Sequence, residues 1–131
     1  MLAVVASIIT GTVISVALSE TPMKNNHKTI YLTEKDDGSA ISLRKGDMLN
    51  LTLQDHGDGG YTWTIAKIDG KILDQVDQFN WGSSSALGDF GKDTWLFSTK
   101  NIGTTTLQLE CKRPWAGGDT SETMTIKIEV N

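Results

Sequence analysis

The chain is poor in the residues that most catalytic and covalent devices need. One cysteine, Cys111, stands among 131 residues, so no intrachain disulfide can form and stability must come from core packing. Histidine occurs twice, as His27 and His56, which leaves any imidazole-based triad or metal site resting on a single side chain. Lys and Arg together number 12 against 16 Asp and Glu, a formal charge of −4, and a phosphate-backbone partner would call for the reverse balance, clustered on one face. Nucleic acid is therefore excluded as the expected partner. Ser83-Ser84-Ser85 follows Gly82 without forming a Gly-x-Ser-x-Gly elbow. The Asp-rich turns Asp36-Asp37-Gly38 and Asp55-His56-Gly57-Asp58 miss calcium-loop spacing. The reading is of a chain with no catalytic residues, no metal and no cofactor.

Long apolar runs are also missing, with one exception at the start. Leu2 to Leu18 carries no charge and stops at Ser19-Glu20, in the manner of a signal-peptide core, and Ala17-Leu18-Ser19 offers small residues where signal peptidase reads them. At about 17 residues it also approaches the length of a short anchor. We expect residues 1–19 to be a signal peptide or N-terminal membrane anchor, 20–27 a linker and 28–131 one domain. The protein would be secreted, periplasmic or displayed at the cell surface, with N-terminal membrane attachment left open and a monomer expected.

What is present is alternation. Ile30 and Leu32, then Leu49, Leu51 and Leu53, then Tyr61, Trp63 and Ile65 recur with period two, as do Trp95 and Phe97, Leu107, Leu109 and Cys111, and Met124, Ile126, Ile128 and Val130. Each run fits a strand with one wet face. Gly- and Asp-rich turns separate them, and helical periodicity is nearly absent. The fold expected is an all-β, immunoglobulin-like antiparallel sandwich of about seven or eight strands. Trp63, Trp95, Phe97 and the Cys111 thiol belong to its core, while Trp81 reads equally well buried or exposed. Gln75 to Gly91 is the longest candidate loop, with room for an irregular or edge strand.

Glycine and aromatics are concentrated together at three places. His56-Gly57-Asp58-Gly59-Gly60-Tyr61 precedes the strand carrying Trp63, Leu87-Gly88-Asp89-Phe90-Gly91 leads into Trp95, and Arg113-Pro114-Trp115-Ala116-Gly117 follows a core strand. Glycine permits tight, protruding paths, and aromatics at loop tips are typical contact anchors. These residues resemble the chagasin family, protein inhibitors of papain-like cysteine proteases, from about Lys28 to the C-terminus. The family's first motif, Asn-Pro-Thr-Thr-Gly, then an aromatic and a Trp, keeps Gly60, Tyr61 and Trp63 here and loses the rest. Its second, glycine-rich loop is matched by Gly88-Asp89-Phe90-Gly91 with Phe90 for the inner glycine. Its third, Arg-Pro-Trp-x-Gly, is complete at Arg113 to Gly117.

The resemblance implies an immunoglobulin-like fold and a reversible, tight-binding inhibitor. It implies that the loops at His56–Tyr61, Leu87–Gly91 and Arg113–Trp115 fill the protease cleft together, the first across the catalytic centre. Asp58 stands where the family has threonine, and a carboxylate beside the protease thiolate predicts weaker inhibition or an altered protease preference. Two other readings remain at this point: an extracellular adhesion or scaffold domain, and a carbohydrate-binding module stacking sugars on Tyr61, Phe90 and Trp115.

Overall fold

The computed structural model describes residues 26–55, 58–82 and 91–131. The expected signal peptide or anchor and most of the linker lie outside the described residues, as do His56, Gly57, Leu87, Gly88, Asp89 and Phe90. Eight strands are described: β1 Thr29–Leu32, β2 Ala40–Leu43, β3 Met48–Gln54, β4 Thr62–Lys67, β5 Leu73–Trp81, β6 Lys92–Thr99, β7 Gly103–Lys112 and β8 Thr120–Val130. They form two four-stranded sheets, ordered β1-β3-β6-β5 and β2-β8-β7-β4.

The alternating apolar residues explain why the sheets face one another. Leu49, Leu51 and Leu53 of β3 stand beside Phe97, Trp95 and Asp93 of β6, so one face of the first sheet carries three leucines and two aromatics inward. On the second sheet Leu107 pairs with Ile126 and Leu109 with Met124. All these apolar side chains are buried, together with Trp63, Cys111, Ile128 and Val130. The Trp63 indole N–H is satisfied inside the domain by the Gln54 carbonyl at 3.0 Å, and burial pushes the Cys111 thiol up from its ordinary pKa. The Cys111 thiol is thereby kept neutral and unreactive.

Four of the described pairings are antiparallel, β3 with β6, β6 with β5, β4 with β7 and β7 with β8. The two remaining ones, β1 with β3 and β2 with β8, are parallel. β5 falls largely within the stretch read as the longest loop and is an edge strand with a register shift between Gln75 and Asp77. Only Leu73 of its nine residues is buried, so it carries almost no apolar alternation. Trp81 closes it with 54% of its surface exposed, its indole N–H donating to Thr94 Oγ1 at 2.7 Å and its ring meeting Phe79 edge-on at 5.3 Å.

Register fixes where the loops go. Gln54 and Trp81 both lie beside Lys92, and Lys112 lies beside both Thr62 and Thr120. The connections β3–β4, β5–β6 and β7–β8 therefore leave the sandwich at one end. These are the three segments whose composition stood out in the sequence.

Candidate functional site at the loop end

The first loop turns on two glycines. Asp58–Gly60 is a short turn kinked at Gly59, whose backbone is not helical, and Gly59 and Gly60 both have positive φ, 70° and 85°, a conformation costly for any residue with a Cβ. Gly60 is constrained a second way, since a Cβ there would lie 2.6 Å from Trp115 Cη2. The indole of the third loop thus rests against the bare backbone of the first. The other face of Trp115 is open: 56% of its surface is exposed.

The third loop, Arg113 to Asp119, is a closed hairpin end. Arg113 N–H donates to the Asp119 carbonyl at 3.1 Å, and Gly118 N–H to the Trp115 carbonyl at 2.9 Å. A Cβ on Gly118 would lie 2.2 Å from the Arg113 carbonyl oxygen, so the return path needs glycine. Pro114 fixes φ just before the indole, and with Trp115 and Ala116 it is exposed.

Arg113 joins the two loops. Its Nε–H donates to the Gly59 carbonyl at 2.9 Å, its guanidinium stacks over the Tyr61 ring at 4.6 Å and stands 5.9 Å from the centre of the Trp115 ring, and its Nη1 pairs with Asp119 Oδ1 at 3.3 Å. Tyr61 completes the circuit, its hydroxyl donating to Asp119 Oδ2 at 2.5 Å. That bond holds the Tyr61 hydroxyl above its ordinary pKa and, with backbone hydrogen bonding and the Arg113 charge, the Asp119 carboxyl below its own. Both shifts favour the arrangement of ionised acceptor and neutral donor seen here.

The second loop is represented by its base. Gly91 is buried, and its carbonyl accepts from Asp55 N–H at 3.0 Å and from Gln54 Nε2 at 3.3 Å, which ties it to the start of the first loop. Asn80 Nδ2 reaches Asp93 Oδ1 at 2.8 Å and Asp55 Oδ2 at 3.3 Å, adding β5 to the same base. Burial raises the Asp93 pKa.

Of the sequence-predicted site residues, Gly59, Gly60, Tyr61, Arg113 and Trp115 gather into one contacting group, with Pro114 exposed between Arg113 and Trp115, Gly91 anchored to their base and Asp58 opening the glycine turn. Asp119 was missed, since in the sequence it reads only as the end of a Gly-Gly-Asp turn. Among the described residues no group of three or more His, Cys, Asp or Glu side chains is placed to hold a metal ion. Among the described residues, the end joins two loops through Arg113, Tyr61 and Asp119 and leaves the Trp115 indole exposed at its edge.

The model of the chagasin family peptidase inhibitors I42 matches residues 42–130. A solved structure of the cysteine protease inhibitor EhICP2 from Entamoeba histolytica superposes with a TM-score of 0.69 at 20% identity, covering 82% of this chain and 99% of that one. The solution structure of amebosin gives a TM-score of 0.59 at 21% identity over 82% and 100% of the two chains. PbICP-C, solved in complex with falcipain-2, gives 0.54 at 15% identity over 87% and 96%. No curated protein sequence matches significantly. With most of the chain matched by the family model, and the family's third motif intact on an exposed hairpin, the chain belongs to the chagasin family of peptidase inhibitors and is not an enzyme.

Proposed function

We propose that this chain is a reversible, tight-binding inhibitor of papain-like cysteine proteases that plugs the active-site cleft with its loop end. The observation that carries the reading is the contact of Gly60 with the exposed Trp115, which makes the first and third loops one edge. In this reading the glycine turn Asp58–Gly60 crosses the catalytic thiolate–imidazolium pair. Its left-handed backbone presents no carbonyl aligned for attack, so nothing is cleaved. Trp115 fills an apolar flank of the cleft as a desolvated anchor, and the loop at Leu87–Gly91 takes the other flank. The strands beneath supply rigidity, so little ordering entropy is lost on association. The family assignment and the falcipain-2 complex of a similar protein support the protease class. The uncharged Leu2–Leu18 run supports export, with action outside the cytoplasm as a single copy.

Titrating papain with the purified chain tests this. We expect activity toward a small peptide substrate to vanish near equimolar addition and to return on dilution, with the chain recovered uncut. Full papain activity in large excess of the chain would overturn the proposal.

A further inference from the structure

Asp119 lies outside the motifs that carry the family likeness, yet both of its carboxylate oxygens are engaged, one on each loop. Oδ2 accepts from the Tyr61 hydroxyl at the end of the first loop, and Oδ1 pairs with Arg113 Nη1 at the start of the third. We infer that Asp119 is a positioning residue for inhibition: through Tyr61 and Arg113 it clamps the Gly59-Gly60 turn and Trp115 into one preformed edge before a protease arrives. This rests on the loop end being the protease-contacting surface.

The geometry separates this role from two simpler ones. Closing the hairpin needs only the Asp119 carbonyl, which already accepts from Arg113 N–H; the side chain instead reaches across to the other loop. As a plain surface ion pair it would contribute little, since the Asp119 side chain is 60% exposed and such pairs are screened. Its effect lies in what Arg113 does once held. A guanidinium is planar with fixed donor directions, so fixing Nη1 on Asp119 aims Nε–H at the Gly59 carbonyl and lays the plane on Tyr61. The Gly59-Gly60 pair has the widest backbone freedom in the loop, and this carbonyl contact with Trp115 packing limits it. A binding-competent state that is only partly populated lowers apparent affinity by its population, and removing the clamp lowers that population.

The test compares the unaltered chain with Asp119→Ala, Tyr61→Phe and the double variant, by stopped-flow association with papain and by ¹⁵N relaxation of the free chain. We expect each single variant to slow association about 3–10-fold, with little change in dissociation, because the competent population falls while bound contacts persist. The double variant should be no worse than Asp119→Ala, because one bond joins the two. Order parameters at Gly59, Gly60 and the Trp115 indole N–H should drop in Asp119→Ala. Unchanged order parameters would overturn the clamp, as would effects confined to dissociation or strictly additive in the double variant. If the unaltered chain does not inhibit papain, the proposed function fails, while the order parameters still decide whether the clamp exists.

Discussion

Trp115 is held from behind and open in front, the condition of an interface anchor. Because 56% of it is exposed, Trp115→Ala removes little core packing, and we expect an unchanged unfolding midpoint with inhibition weakened at least about tenfold, the loss typical of an aromatic hot spot. Equal inhibition constants would remove the third loop from the interface. Gly60→Ala should act on the same contact from the other side. Its φ of 85° is strained for alanine and the new methyl meets the indole, so inhibition should fall with the Trp115 side chain intact, a result read from paired inhibition and fluorescence titrations. At Asp58 the expectation is opposite in sign: with the first loop across the catalytic centre as proposed, replacing the acidic residue by threonine in Asp58→Thr should lower the inhibition constant against papain. A constant unchanged in both Asp58→Thr and Asp58→Ala would show that the charge does not matter. Arg113, Pro114 and Trp115 were legible as a motif because their chemistry is unusual in sequence. Asp119 was not, because its significance is the distance to Tyr61, 58 positions away, and no local pattern encodes it.

At the scale of elements, the strands that bury one full face were readable and those that do not were obscure. β3, β7 and β8 write their period-two pattern into leucine and isoleucine. β2 has four residues and one buried side chain, and its place is set by parallel pairing with the C-terminal strand, a contact no nearby residue announces. β5, at an edge, pairs with β6 alone among the described strands and buries only Leu73. The turn between β2 and β3 depends on one carboxylate. Asp47 is fully buried and accepts from Lys28 N–H at 3.0 Å and Arg44 N–H at 2.9 Å. Burial pulls its pKa up, but these two bonds and the nearby Lys28 and Arg44 charges outweigh it and hold the carboxyl below its usual value. A depressed folded pKa stabilises above the unfolded value of about 3.9 and is lost as pH falls through the folded one. Asp47→Ala leaves two backbone donors unpaired, so we expect a loss of roughly 2–4 kcal/mol at pH 7. The gap to the unaltered chain should narrow below about pH 4. Urea midpoints at the two pH values check both, and a gap independent of pH would contradict the linkage.

Across the whole molecule the two ends are divided. β1 runs parallel to β3 and starts beside Met48, and β8 ends at Val130 beside Leu43 and Gly103. The described chain therefore enters and leaves at the pole opposite the loops, about 20 Å away along the seven residues of β3. A bulky domain fused ahead of residue 26 should leave papain inhibition unchanged, and a large loss of inhibition would contradict the polarity. The measurement that tests the account most directly is hydrogen exchange of the chain free and bound to papain. We predict slowed exchange at Gly59 to Tyr61 and at Arg113 to Asp119, with the Arg44–Asp47 turn unaffected. Protection on the sheet faces or at the Arg44–Asp47 pole, with the loop end unprotected, would contradict it.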